Sequence, residues 1–385
     1  MSIARVDVVL PVYNAEKTVE GAVASIQAQT VRDIRIIIVD DGSTDSTGQI
    51  LDRIASADKR ITLLRRANGG IVDALNEGLA ACTADIVARH DADDLASPDR
   101  FEKQLAYLRA HPDCIAVSGA VLQIDDVGQP IGPVYALPSP ELADLDWYPQ
   151  REPYLIHPFL MARRAAIEQV GCYRHVFHAE DTDLYWRLQE VGRLANMPDL
   201  LGMYRIHAQS VTGASVVNGR VSALCSQLAG ISARRRRAGR NDIAFPKEAL
   251  REYKDACSLE AIIEAGSRDL DADEADRLAA GVSAKLLELA GYRPFELEKD
   301  DCTFIRLTIL RALPRMKPKN RGFCIRMLAG AAARLAATGR VSAALQLAPP
   351  RLYPAVGARL ALRTAVPLPL FRAMRRAIGR AAFVK

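Results

Sequence analysis

Three carboxylates lie close together in the chain, at Asp91, Asp93 and Asp94, directly after the apolar, strand-like run 85–90. Carboxylates this close cannot all stay ionised without a counter-charge. A hard divalent cation that also binds phosphate would supply one, because Mg²⁺ and Mn²⁺ prefer carboxylate and phosphate oxygens. A solvated acidic turn that caps the helix after Pro98 is the alternative, and the cluster alone does not exclude it.

Polar segments also follow two earlier apolar runs. Residues 5–13 predict a buried strand that ends in the segment 11–14, and the β-branched run 34–39 predicts a strand that ends in the acidic and hydroxyl residues 40–45. In doubly wound α/β sheets the ligand site lies beyond the carboxyl ends of the strands. We therefore expect both segments to lie beside residues 91–94.

The alternation of strands and helices indicates the fold class. It favours a parallel, doubly wound α/β sheet, followed from about residue 215 by a mainly helical region. A proline-rich stretch at 130–140 is expected to form a surface loop. The predicted helices are 15–29, 47–57, 71–81 and 98–111, and the further predicted strands are 61–65 and 115–122.

Composition and termini limit the class of protein. The chain has 385 residues, of which 49% are hydrophobic and 25% charged, and this length is enough for two domains. Its 7 cysteines form no Cys-x-x-Cys pair, which predicts reduced thiols in a cytoplasmic protein. Because the first predicted strand begins within a few residues of the N-terminus, we expect no signal peptide, and no run of about 18 apolar residues predicts a spanning helix.

The net charge of +5 is unevenly distributed. Residues 302–385 hold 17 of the 51 Lys and Arg and none of the Asp and Glu, which leaves 34 basic and 46 acidic residues elsewhere. Phe371, Met374, Ile378 and Ala382 share one helical face beside several arginines. This pattern predicts an amphipathic helix on an anionic membrane surface. A helix packed on the acidic catalytic domain is the open alternative, and nucleic acid is not expected because no binding motif is present.

Several short motifs occur in a fixed order along the first half of the chain. Together they resemble family-2 glycosyltransferases of the GT-A fold, a doubly wound mixed sheet, over roughly residues 1–215. The resemblance implies a catalytic domain at 1–215, a helical extension at 216–301 and a basic helical tail at 302–385. The motifs are Pro11–Asn14, Asp40–Asp45, Asn68–Gly70, Asp91–Asp94 and Glu180–Asp181.

The resemblance also implies an activity. The protein would be an inverting glycosyltransferase that uses Mn²⁺ or Mg²⁺ and moves a sugar from a nucleotide-sugar, most often a UDP-sugar. The acceptor would be a glycan or a lipid-linked molecule in surface polysaccharide or cell-envelope synthesis. The protein would then be cytoplasmic or peripheral on the inner face of the membrane, with the donor and the acceptor as its partners.

Individual roles follow from the same resemblance. Asp181 would be the catalytic base for the acceptor hydroxyl, although acidic residues also favour helix N-termini for structural reasons. Asp93 and Asp91 would hold the metal, and His207 would complete the metal or diphosphate contacts unless it is a structural histidine. The residues implied in nucleotide-sugar binding are Pro11, Tyr13, Asp40, Asp41, Asn68, Gly69, Asp91 and Arg187.

Structural explanations compete for several of these residues. Asp40 and Asp41 suit a turn or a helix cap, and Arg187 could pair with Glu180 or Asp183. A nucleotidyltransferase of similar fold is disfavoured, because such an enzyme needs a glycine-rich basic loop where this chain has Pro11–Asn14. A catalytically silent protein that binds membrane surfaces is the third candidate, and the complete carboxylate set argues against it.

Overall fold

The computed structural model describes residues 5–206, 215–293 and 295–365 of the chain. These residues form two compact units. The first unit comprises residues 5–145, 151–206 and 232–247, and the second comprises residues 146–150, 215–231 and 248–365 without residue 294.

The first unit is built on one mixed sheet of nine strands. The strands are β1 (Val6–Val12), β2 (Ile34–Asp40), β3 (Ile61–Arg65), β4 (Ile86–Arg89), β5 (Leu95–Ala96), β6 (Cys114–Ile124), β7 (Pro130–Tyr135), β8 (Met161–Arg163) and β9 (Arg193–Arg205). Their order is β3-β2-β1-β4-β8-β6-β9-β5, and β7 pairs with β6 off this path. The four strands β3, β2, β1 and β4 run parallel, so their carboxyl ends meet at one edge.

Helices cover both faces of this sheet and create two apolar cores. Every residue of β1 is buried, as expected for a parallel strand that is covered on both faces. Val6, Val8 and Leu10 belong to one core and Val9 belongs to the other, because side chains alternate along a strand. The helices of this unit are α1 (Val19–Gln27), α2 (Thr47–Ala57), α3 (Ile71–Ala80), α4 (Arg100–Ala110), α5 (Arg164–Gln169) and α6 (Glu180–Gln189).

The prediction of a loop at 130–140 was wrong for its first half. Residues 130–135 form β7, which pairs antiparallel with β6 and places Val134 opposite Leu122. A proline has no N–H to give to a sheet, so it is tolerated where that position needs no partner, as on an edge strand. β7 is such an edge, and five of its six residues are exposed. The prolines mark an edge strand rather than a loop.

The second unit is helical, as the sequence predicts for the described residues after 215. No helix in the described ranges is long and apolar enough to cross a bilayer. The predicted amphipathic helix near the C-terminus lies outside the described residues. The remaining helices are α7 (Val216–Arg237), α8 (Ala249–Asp255), α9 (Leu259–Gly266), α10 (Ala272–Leu289), α11 (Lys299–Ala312), α12 (Pro318–Ala337), α13 (Val341–Leu347) and α14 (Tyr353–Ala365); the last residues of α7 belong to the first unit.

Candidate active site

The loops after β1 and β2 are joined by hydrogen bonds. The backbone N–H of Asn14 donates to Ser43 Oγ at 3.0 Å, and the N–H of Thr44 donates to Asn14 Oδ1 at 2.8 Å. Pro11 is buried within β1, opposite Val39. Tyr13 lies beyond the strand and is 52% exposed, so its ring is free to stack on a ligand while Pro11 stays inside the sheet.

Asp40 and Asp41, at the end of β2, are both buried and both hold loops. Asp40 Oδ1 accepts the Ser43 N–H at 3.0 Å and so closes a turn. The carboxylate of Asp41 accepts the N–H groups of Gly69 and Gly70 at 3.0 and 2.8 Å. Asn68 donates its side-chain amide to the Asp41 carbonyl at 3.0 Å. The structure therefore brings residues 68–70, the glycine loop, to the end of β2, where Asp41 anchors them.

Gly42→Ala should lower the free energy of unfolding by about 1–3 kcal/mol, the usual cost of forcing a side chain into the left-handed region. Gly42 has a φ of +76°, and a Cβ there would lie 2.7 Å from the backbone nitrogen of Asn68. Gly48→Ala is the matched control. Its Cβ would approach nothing closer than Asp40 Oδ2 at 3.7 Å, and alanine favours the helix. Urea unfolding measures both variants, and equal losses would contradict this account.

The three carboxylates after β4 converge. Asp91, Asp93 and Asp94 can each present an oxygen within 4.8 Å of the others. Asp94 is fully buried; its Oδ1 accepts the backbone N–H of Arg205 at 2.7 Å. Its Oδ2 is buried and has no hydrogen-bond partner in the described part of the chain. Arg205 also donates from Nε to the Asp93 carbonyl at 2.9 Å, which ties β9 to the turn.

The electrostatics of this turn fit a cation. Burial raises the pKa of Asp91 to about 6, helped by the charges of Asp93 and Asp181 and opposed by Arg89. Burial, and then repulsion by Asp91 and Asp93, raises the pKa of Asp94 well above its ordinary value. An all-oxygen set of this kind suits Mg²⁺ or Mn²⁺, and Asp94 Oδ2 offers an unused ligand atom. His207 lies outside the described residues.

Arg100 is fully buried and holds the two residues that precede the carboxylate turn. Arg100 donates to the Arg89 carbonyl at 2.7 Å and faces His90 Nδ1 at 3.1 Å. Because a guanidinium only donates, Nδ1 must accept, so the proton of His90 is on Nε2, 3.2 Å from the Asp94 carbonyl. Burial, and then the charges of Arg100 and Arg89, keep the pKa of His90 well below its ordinary value. His90 is therefore a neutral hydrogen-bonded link and not a metal ligand.

Glu180 and Asp181 begin helix α6. Asp181 Oδ1 accepts the N–H of Thr182 at 2.7 Å, which fixes the carboxylate against the helix end. Burial, followed by the charge of Asp181, raises the pKa of Glu180 to about 7. Burial also raises the pKa of Asp181, against the effects of the Thr182 N–H and of Arg89. Both carboxyls therefore hold a proton more readily than ordinary acids, as a general base near neutral pH should.

Arg187 forms an ion pair with Asp183 of the same helix. It is buried, and it donates from Nε and Nη2 to Asp183 Oδ2 at 2.9 and 2.7 Å. Arg174 pairs with the same carboxylate. The ion pair with Asp183 is the structural alternative that the sequence left open for Arg187, and its role in donor binding stays a prediction.

Arg89 and Arg205 are site residues to which the sequence patterns assign no individual role. Arg89 forms an ion pair with Asp91, and Arg205 holds the backbone of the carboxylate turn. A signal for Arg89 was present, because a single arginine stands in an otherwise apolar strand immediately before the acids. The position of Arg205 depends on the pairing of β9 with β6 and β5, which no local pattern reveals.

Comparisons with known proteins agree on one family. Residues 7–171 match the family model described as Glycosyl transferase family 2. The amylovoran biosynthesis glycosyltransferase AmsE of Erwinia amylovora is 31% identical over 217 residues, which are 55% of this chain and 78% of that protein. An uncharacterized glycosyltransferase of Haemophilus influenzae is 33% identical over 226 residues, which are 54% of this chain and 67% of that protein.

A solved structure is also similar. The mannosyltransferase PcManGT from Pyrobaculum calidifontis, in complex with GDP-Man and Mn²⁺, is 19% identical with a TM-score of 0.46, and the match covers 90% of this chain and 88% of that chain. The family model and the relatives confirm the resemblance that the motifs indicate. The chain belongs to glycosyltransferase family 2 and has the GT-A fold.

Proposed function

We propose that this protein is an inverting, metal-dependent glycosyltransferase that uses a UDP-sugar and extends a glycan or a lipid-linked acceptor in surface polysaccharide or cell-envelope synthesis. The observation that carries the proposal is the convergence of Asp91, Asp93 and Asp94 at the edge where β1 and β2 also end. A relative named for amylovoran biosynthesis supports the polysaccharide context.

In this proposal the chain's own residues bind and orient both substrates. Tyr13 stacks on the base of the nucleotide, and Asp40 accepts from its ring N–H. Asp91, Asp93 and Asp94 would hold the divalent cation, which when bound would supply Lewis-acid stabilisation of negative charge on the diphosphate. The glycine loop, anchored by Asp41, permits close approach of the donor.

Asp181 performs the proton transfer in this scheme. Its carboxylate takes the proton of the acceptor hydroxyl while that oxygen bonds to the anomeric carbon of the donor sugar. The bond between this carbon and the diphosphate oxygen breaks on the opposite face, so the anomeric configuration inverts. The raised pKa of Asp181 strengthens its carboxylate as a base.

The proposal predicts that UDP raises the thermal unfolding midpoint of the protein in the presence of Mn²⁺. A ligand that binds only the native state stabilises it by about 2.7 kcal/mol at a hundred times its Kd, which corresponds to a shift of several degrees. The shift should be small with UDP alone and with the metal alone. Differential scanning fluorimetry with UDP, GDP and other nucleoside diphosphates, each with and without Mn²⁺, makes the measurement.

The outcomes separate the rival functions. A metal-dependent shift with GDP alone would retain the reaction class and overturn the choice of UDP. No shift with any nucleotide would favour the catalytically silent protein. Release of pyrophosphate from a nucleoside triphosphate and a sugar phosphate would favour the nucleotidyltransferase.

We also propose that residues 1–215 act as the catalytic domain, 216–301 as a helical extension and 302–385 as a basic tail that contacts an anionic membrane. The absence of any acidic residue after Asp301 supports the last point. The protein would then act in the cytoplasm or on the inner membrane face. Flotation with anionic liposomes but not with neutral ones is the expected result, and equal flotation with both would contradict it.

A further inference from the structure

Arg89 ends strand β4, two residues before Asp91 of the candidate site. It is only 6% exposed. Its Nη2 forms an ion pair with Asp91 Oδ1. Nε and Nη1 are buried as well, and within the described chain neither has a hydrogen-bond partner. A buried guanidinium therefore keeps two donors unused next to the site.

The surroundings of Arg89 are mainly apolar. Together with Tyr173 it lines a cavity of about 10 Å³ whose other walls are apolar. Burying a charge with unpaired donors is costly, and a well-packed apolar residue is often as stable or more so. Packing alone therefore does not explain an arginine here. The apolar side chains are Val9, Leu75, Leu79, Val87, Leu160 and Ile167.

A layer of buried polar rings joins Arg89 to helix α6. His157 Nε2 lies 2.7 Å from Tyr173 Oη, and the His157 ring meets Tyr185 edge-on with centroids 6.2 Å apart. Tyr185 is fully buried, and its Oη has no partner among the described residues. Tyr185 follows Asp181 by one helical turn and so faces the same side of α6. The layer therefore connects the cavity that Arg89 lines with α6, one turn after Asp181.

The charge of Arg89 also acts on the acids at the start of α6. Burial, and then the charge of Asp181, raises the pKa of Glu180, and burial raises the pKa of Asp181. Arg89 acts in the opposite direction on both carboxyls, although burial remains the larger effect. One guanidinium thus pairs with Asp91 in the carboxylate turn and acts on the start of α6.

We infer that Arg89 is a positioning residue that couples the two halves of the site: it fixes the carboxylate of Asp91 and supplies the positive charge that faces Asp181. The catalytic meaning of this link rests on the proposed function. The charge coupling between Arg89 and Asp181 does not rest on the proposed function, because it can be measured in the folded protein without any substrate.

A double-mutant cycle tests the coupling. Thermal unfolding midpoints are measured at pH 8 for the wild type, Arg89→Met, Asp181→Asn and the double variant. In the wild type, Asp181→Asn gives up the attraction between Asp181 and Arg89. In Arg89→Met the repulsion between Asp181 and Glu180 is no longer opposed by that charge, so Asp181→Asn should raise the midpoint by at least about 2 °C more than it does in the wild type.

Arg35→Met is the matched control. Arg35 pairs with the fully buried Asp7 through Nη2 at 2.7 Å, at the opposite end of β1 from the site. This variant also breaks a buried ion pair, yet the effect of Asp181→Asn should be the same in it as in the wild type. Arg89→Lys keeps the charge and should restore most of the wild-type response, which a purely structural role would not predict.

The results distinguish this inference from the proposed function. Additive effects of Arg89→Met and Asp181→Asn would overturn the inference whether or not the enzyme transfers sugar. If the cycle shows coupling but the wild-type protein transfers no sugar, the inference is supported and the proposed function is contradicted. Where Arg89→Met does not fold, Arg89→Gln repeats the cycle with a smaller polar change.

Discussion

Asp93→Asn should reduce sugar transfer by about 100- to 1,000-fold, the usual loss when one group that stabilises transition-state charge is removed. Asparagine keeps the size of the side chain and removes its negative charge. The oxygen cluster with Asp91 and Asp94 then has one anionic ligand fewer. The cation should bind more weakly, and the stabilising effect of UDP with Mn²⁺ should shrink with it.

Two measurements establish this result. Initial rates with a UDP-sugar, taken across a range of Mn²⁺ concentrations, should show that Asp93→Asn needs more metal for half-maximal activity. The thermal unfolding midpoint without ligand should not fall, because the substitution removes a repulsive charge from a crowded cluster. Full transfer by Asp93→Asn at low Mn²⁺ would place the metal elsewhere.

Asp99→Asn provides the matched control. It is the same substitution six positions further along the chain, at a residue whose carboxylate pairs with Lys103 on the surface of α4 at 2.8 Å. Such exposed pairs contribute little to stability. Activity and metal dependence should stay at the wild-type level, and a comparable loss would mean that the assay responds to general charge and not to the cluster.

The edge at which β1, β2 and β4 end could be predicted from sequence, because the pattern that marks each strand end is local. Continuous β-branched runs such as 34–39 predict buried parallel strands, and polar residues after each run mark the strand ends. The structure confirms the pairing of β1 with β2 and with β4. Asp93 and Asp94 could be identified for the same reason, since they directly follow a strand.

The different structural roles of Asp40 and Asp41 could not be predicted from sequence. Both residues close the same strand and both suit turns as well as ligands. The structure shows that Asp41 anchors the N–H groups of Gly69 and Gly70. That contact requires the glycine loop, far along the chain, to fold against the end of β2. Motif order alone gives no such distance.

The contrast between Arg89 and Arg187 could not be predicted from sequence either. Both are arginines beside motif residues, and the sequence favoured Arg187. Arg187 is engaged by Asp183 within its own helix, whereas Arg89 pairs with Asp91 after β4 and its charge opposes the raised pKa of Asp181 at the start of α6. Only the packing of α6 on the sheet decides which arginine meets the site.

Asp181→Asn should reduce transfer by about 100- to 10,000-fold, the range for loss of a general base, while the stabilisation by UDP with Mn²⁺ stays at the wild-type level. The amide cannot take the proton of the acceptor hydroxyl. Its oxygen can still accept the Thr182 N–H that Asp181 accepts at 2.7 Å, so α6 should keep its position. Loss of the UDP response in this variant would make Asp181 a donor-site residue instead.

Glu180→Gln decides which of the two adjacent carboxyls is the base. If Asp181 is the base, Glu180→Gln should lower the pKa of Asp181 by removing a negative neighbour, since the two acids raise each other's affinity for a proton. The fall in kcat/KM on the acid side should then move to lower pH in Glu180→Gln, with most of the activity retained near pH 8. In the wild type this fall should occur at a higher pH than an ordinary aspartate gives, because burial raises the pKa of Asp181. A pH profile that is unchanged in Glu180→Gln, together with a large loss of rate, would assign the base to Glu180.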